Sequence, residues 1–116
     1  MTDWLPRQLE ICERYGASFL PSSDPEKVGI ARNTTLRPLN GLRHPPESGT
    51  SGWYLWGGRE LSQSPDFFQA LHISHLEETC PMAMPFLGLA PGWRFLVDGD
   101  QVDVWFDPTL LQTGIR

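Results

Sequence analysis

His72 and His75 stand three residues apart, a spacing that on one continuous helix would turn both imidazoles to the same side for a zinc ion. Ser74-His75-Leu76-Glu77, however, has the form of a capping box, in which a Ser hydroxyl and a Glu carboxylate satisfy backbone donors at a helix start. The pair then straddles a boundary. No Glu stands in an H-E-x-x-H arrangement and no third ligand follows at recognisable spacing, so no metal is expected. The bland reading places His75 in a first helical turn and His72 in hydrogen bonds at a sheet edge. His44 follows Arg43 in Leu42-Arg43-His44-Pro45-Pro46-Glu47. An Arg and a His in a Pro-stiffened loop could hold a phosphate or carboxylate ligand, or could satisfy the loop's own carbonyls. Cys12 with a histidine could form a nucleophile–base pair, but it falls on the apolar stripe of a helix, where thiols are usually inert. A nucleophile elbow, a Walker-type loop and a dinucleotide fingerprint are all missing, and Gly57-Gly58-Arg59 reads as a turn. Neither a catalytic set nor a cofactor is expected.

The carboxylates concentrate between Asp98 and Asp107. Those at Asp98 and Asp100 suit a turn. Asp103, Trp105 and Asp107 alternate on one face of a strand, so an aromatic sits between two carboxylates. An outward Trp is rare unless something covers it, and Trp is enriched at interface hot spots. A basic partner surface would find both charge complement and an anchor there. Otherwise Trp105 lies beneath a loop or helix packed on that face. The same choice faces Tyr54 and Trp56, since one side of their strand must meet the core. The expected partner-binding set is Asp103, Trp105, Asp107 and Trp56, with Arg43 and His44.

The elements that must position these groups start with a helix over Trp4 to Tyr15. At 100° per residue Trp4, Leu5, Leu9, Ile11, Cys12 and Tyr15 form one broad stripe, with Arg7, Glu10, Glu13 and Arg14 opposite. Thr2 or Asp3 can cap it, Pro6 suits its first turn, and Gly16 can end it. After a turn at Ser22–Pro25, a strand is expected at Lys27–Arg32. Residues 33–51 hold Pro38, Gly41, Pro45, Pro46 and Gly49 with almost no periodicity, and read as one long loop. Loops beyond about 12–15 residues are uncommon in compact domains and are often functional. Gly52–Trp56 is a strand by its aromatics. Ser64-Pro65-Asp66 reads as opening a short helix that carries Phe67, Phe68 and Ala70. Leu71 to Ile73 is briefly extended, Ser74 begins a second helix, and Cys80-Pro81 begins a third that stops at Gly88. Trp93–Val97 and Val102–Phe106 flank Asp98-Gly99 as a hairpin. Period two puts Trp93, Phe95, Val97, Val102, Val104 and Phe106 on one face. A loop of Asp98-Gly99 alone pairs Arg94 with Asp103. The fold class is α+β, a mostly antiparallel sheet with an N-terminal helix and two or three further short helices.

Composition bounds the rest. At 116 residues there is room for one domain, and 40% hydrophobic against 20% charged residues lies outside the disordered range. No apolar run approaches the roughly eighteen residues of a membrane span. The first ten residues are charged and lack an apolar signal core, which points to the cytoplasm. Cys12 and Cys80 are expected to be reduced, small hydrophobes in the interior. The net charge of −5 argues against nucleic acid and suits a basic protein partner.

Three segments carry a family resemblance: LNGLRHPPESGTSGWYLWGG, DFFQALHISHLEETCP and LGLAPGWRFLVDGDQVDVWFD. They resemble bacterial immunity protein family 33, attributed to polymorphic toxin systems. Gly52-Trp53-Tyr54 and Gly92-Trp93-Arg94-Phe95 are the clearest parts. The resemblance implies a cytoplasmic α+β protein that neutralises a toxin by binding it, with no reaction of its own. It brings no catalytic residues. The tryptophan of such domains resembles Trp93, which period two places on the core face. Two other readings stand beside this one. A small enzyme or ligand-binding domain would use Arg43 and His44 with His72 or His75. A structural or regulatory homo-oligomer would pair through the terminal hairpin edge, and the expected state of the chain is a monomer or a weak homodimer.

Overall fold

The computed structural model describes residues 4–22, 26–47, 49–59 and 67–112. Helix α1 spans Leu5–Tyr15, with Pro6 in its first turn. It ends where Gly16 turns left-handed (φ 75°) and its N–H reaches the carbonyls of Cys12 and Glu13, a conformation that costs glycine little. Thr2 and Asp3 lie outside the described residues. Trp4 occupies the cap position without a side-chain capping bond. The stripe is narrower than its pattern. Ile11 and Cys12 are buried and Trp4 and Tyr15 pack on the core, whereas Leu5 and Leu9 are exposed.

Six strands form one sheet: β1 (Lys27–Ala31), β2 (Leu39–Arg43), β3 (Thr50–Gly57), β4 (Phe68–His72), β5 (Trp93–Asp98) and β6 (Gln101–Phe106). Their order is β4-β1-β3-β2-β5-β6. Every pair is antiparallel except β1 with β3. Helix α2 (Ile73–Thr79), a 3-10 turn at Pro81–Phe86 and a last one at Pro108–Gln112 complete the described fold. The α+β class therefore holds, with the N-terminal helix, the terminal hairpin and the short helices in place.

Three expectations change. The stretch 33–51 is not one long loop, because Leu39–Arg43 inside it pairs on both sides, with β3 and β5. Gly41 had disguised that strand, and the structure uses its bareness. The Phe95 ring lies over Gly41, where a Cβ would collide with it. Phe68 and Ala70 are not helical. They belong to edge strand β4, where Phe68 faces Ala31 and Ala70 faces Gly29, while Ser64-Pro65-Asp66 lie outside the described residues. Helix α2 starts at Ile73 with extended His72 as its cap, so Ser74 sits inside the first turn instead of capping it.

The hairpin forms with its register moved by two. Asp98 pairs with Gln101, the loop is Gly99-Asp100, and Arg94 faces Trp105 while Leu96 faces Asp103. A two-residue shift leaves every side chain on its face, so the division of apolar and polar sides survives. The main core lies between the sheet and the layer of α1, α2 and the Pro81–Phe86 turn. Trp53, Leu55, Leu39, Phe95 and Val97 meet Ile11, Leu76, Met84 and Phe86 there. Phe86 stacks on Phe95 with ring centroids 4.4 Å apart and planes 13° off parallel. Cys12 and Cys80 are free and buried in this core, and burial raises both thiol pKa values.

Candidate protein-binding face

Alternation along β2 decides where the Arg43–His44 pair goes. Neighbours on a strand point to opposite sides of a sheet. Arg43 enters the helical side and is completely buried, its Nε donating to the Ser51 carbonyl at 2.8 Å. Its Nη1 donates to the carbonyls of Leu20 (2.7 Å) and Leu89 (2.8 Å), and its guanidinium lies over the Trp53 ring. Burial pulls its pKa down to about 10, so the side chain stays charged at neutral pH and needs those acceptors. Arg43 is thus a brace between strands and loops and is removed from the expected partner-binding set. His44 points to the other side, its Nδ1 3.2 Å from the Leu110 carbonyl and its ring edge-on to Tyr54. The two cannot share one ligand pocket.

The side of the sheet away from α1 and α2 carries one row of residues across all six strands. Ala70, Gly29, Tyr54, Leu42, Arg94 and Trp105 are successive cross-strand partners. Near Tyr54 the surface is hollowed. A depression of about 170 Å³ lies between His44, Tyr54, Trp56 and Phe68, and one of about 210 Å³ between His44, Glu47 and Tyr54. Tyr54 and Phe68 meet edge to face, with centroids 5.2 Å apart. Trp56 shows only a sliver of its surface at the floor of the first depression. It packs with Ala31, Leu42 and Leu110 in a small second cluster and is 4% exposed, a mainly structural position for an expected binding residue. The 3-10 turn carrying Leu110 lies over this part of the sheet.

The far end of the row is open. Trp105 is 38% exposed, yet the Arg94 guanidinium lies 5.4 Å from its ring centroid. Arg94 Nη1 is held in turn by Asp107 Oδ2 at 3.2 Å. The other oxygen, Oδ1, accepts from the Thr109 hydroxyl at 2.6 Å and from its backbone N–H at 3.1 Å. The Thr109 hydroxyl above all holds the Asp107 carboxyl below the usual range; desolvation opposes it, and the Thr109 N–H and Arg94 add to the lowering. The charge of Asp107 is therefore spent on Arg94 and the final turn. Asp103 stays exposed and accepts only a 3.1 Å bond from Gln101 Nε2. Among the described residues Asp98, Asp100 and Asp103 form no ion pair.

His72 and His75 are exposed with ring centroids 6.5 Å apart, and the described residues contain no group of three or more His, Cys, Asp or Glu able to hold a metal ion. Trp93 is half-buried on the helical side against Phe106, as its period predicted. Two features escaped sequence reasoning. The Arg94–Trp105–Asp107 stack follows from a Gly99-Asp100 turn, which the Asp-Gly signal displaced by one residue. The Tyr54–Phe68 hollow needed Phe68 in a strand, which the alternation of Phe68, Ala70 and His72 could have signalled.

Residues 7–107 match the Imm33-like domain family. The chain belongs to that family. The match of this Imm33-like domain runs from α1 through all six strands and ends at Asp107, taking in Arg94, Trp105 and the edge strand. No curated protein and no solved structure matches the chain. Among the described residues no helix is long and apolar enough to cross a membrane.

Proposed function

We propose that this Imm33-like protein works by binding, as an immunity protein that blocks a toxin domain in the cytoplasm and catalyses nothing. The family name supports the immunity role. The observation that carries the location is Trp105, exposed but braced by Arg94 and Asp107 beside the uncompensated Asp103. A large aromatic held in one place before binding loses little entropy on association, which is what an interface anchor requires. The acidic neighbours direct it to a basic partner and make association sensitive to salt. The Arg43–His44 ligand site of the alternative reading has lost its geometry.

The test starts from the genes flanking this one, where the proposal expects a toxin domain, and co-expresses that domain with this chain. The wild-type chain should restore growth and bind that domain directly. Trp105→Ala should weaken binding by about 2 kcal/mol, close to 30-fold, while leaving the circular dichroism unchanged. Asp103→Lys should weaken it too and flatten its salt dependence. A wild-type chain that neither binds nor rescues would end the immunity reading, and full affinity in both variants would move the interface elsewhere.

A further inference from the structure

The outer edge of β6 points to how a partner attaches. In an antiparallel ladder residues alternate between facing the neighbouring strand and turning their N–H and C=O away from it. The Asp107 N–H donates to the Gly92 carbonyl at 2.7 Å, which sets the phase of the β5–β6 pair. Trp105, Asp103 and Gln101 then bond inward to Arg94, Leu96 and Asp98, and the backbones of Val102, Val104 and Phe106 face outward. Among the described residues nothing pairs with them. Natural edges are usually blunted by charged side chains, above all lysine, by proline or by a bulge, and β6 carries a single charge, Asp103, on its open face. β6 contains no lysine or proline, and its register against β5 is unbroken over six residues. Val102 and Phe106 are 38% and 45% exposed, on the helical side, and Trp105 is exposed on the other.

We propose that β6 takes up an extended basic segment of the partner protein as an added strand. This deepens the binding role and rests on it only for the kind of partner. Side chains of the added strand alternate as those of β6 do. One set lies beside Val102, Val104 and Phe106 and is apolar. The other lies beside Asp103 and Trp105, with Asp98 and Asp100 near the turn, and is Lys or Arg. Opposite charge faces Asp103, and a cation can rest on the Trp105 ring. A second copy of this chain fits worse, because β6 holds no cation and two such edges bring carboxylates together.

The probe is an end-blocked eight-residue peptide alternating Lys and Val, with the Glu–Val peptide as control, added to the full chain. Amide exchange at Val102, Val104 and Phe106 should slow on adding the Lys–Val peptide and stay unchanged with the Glu–Val one. Val104→Pro removes an outward N–H at a site where an edge strand tolerates proline, and should weaken peptide binding about tenfold or more. Val104→Ala keeps the N–H and should bind nearly as well as wild type. Edge amides that exchange freely with the Lys–Val peptide present overturn the proposal, as does equal affinity for both peptides. Protection of those amides without peptide, in a dimer that forms with concentration, gives the edge to a second copy and overturns it too. With the toxin domain, failure of the binding role appears as a wild-type chain that does not bind. Failure of strand addition alone appears as Val104→Pro binding as tightly as wild type.

Discussion

Arg43 is a cation with no access to water, held by carbonyls from β3, from the segment after α1 and from the segment after the Pro81–Phe86 turn. Deleting it leaves several buried acceptors without a donor, each costing about 1–3 kcal/mol. Arg43→Ala should therefore lower the unfolding free energy by about 3 kcal/mol or more in a denaturant titration. Arg43→Met, which restores volume without donors, should rescue little of it. Asp107 makes the opposite kind of contribution, at the surface. Its folded pKa is depressed, so the stabilisation it brings is present above the unfolded value of about 3.9 and is lost as pH falls through the lower folded value. Below about pH 4 the Trp105 indole resonance should therefore shift as the carboxylate releases Arg94. Asp107→Asn should remove that acid transition, and an identical titration in the variant would count against the stack. Neither role was visible from composition. An Arg beside a His in a Pro-rich stretch suggested a ligand site until alternation along β2 sent the two to opposite sides.

Strands and helices differ in how openly they declare themselves. α1 was legible because six apolar positions recur at helical spacing before a glycine stop. The hairpin was legible because two alternating runs surround a turn. β2 was hidden, since Leu39-Asn40-Gly41-Leu42-Arg43 has no β-branched residue and its glycine reads as a break. Its strand character comes from neighbours on both sides, and its glycine from the Phe95 ring. Gly41→Ala should accordingly cost about 1–3 kcal/mol by overpacking, seen as a lower melting temperature, even though alanine is the better residue in an isolated chain. An unchanged melting temperature would show that Phe95 can move aside. β4 is hidden in the sequence because Ser-Pro-Asp resembles a helix start, whereas pairing with β1 rewards the alternation that follows.

Among the described residues α1, α2 and the Pro81–Phe86 turn crowd one side of the sheet, and the other carries only the last 3-10 turn over shallow aromatic relief. This layering sorts the six expected binding residues by exposure and by the contacts that already engage them. Arg43 went into the layered side, Trp56 went under Leu110, and Asp107 was taken up by Arg94 and Thr109. Asp103, Trp105 and His44 keep exposed or half-exposed positions on the open side. Asp98, Asp100 and Asp103 gather at the turn and outer edge of the β5–β6 hairpin and form no ion pair among the described residues. The proposed partner would meet backbone and side chains together there.

By itself the sequence determined the α+β class, the N-terminal helix, the terminal hairpin and the division of its two faces, because these depend on periodicity and near neighbours. The same local information put the carboxylates around Trp105. Tertiary structure alone decided the register that sets Arg94 on Trp105, the burial of Arg43 and Trp56, the central place of β2 and the open edge of β6. Each of these depends on which distant segment lies alongside, and a side chain's exposure is settled only when that neighbour arrives.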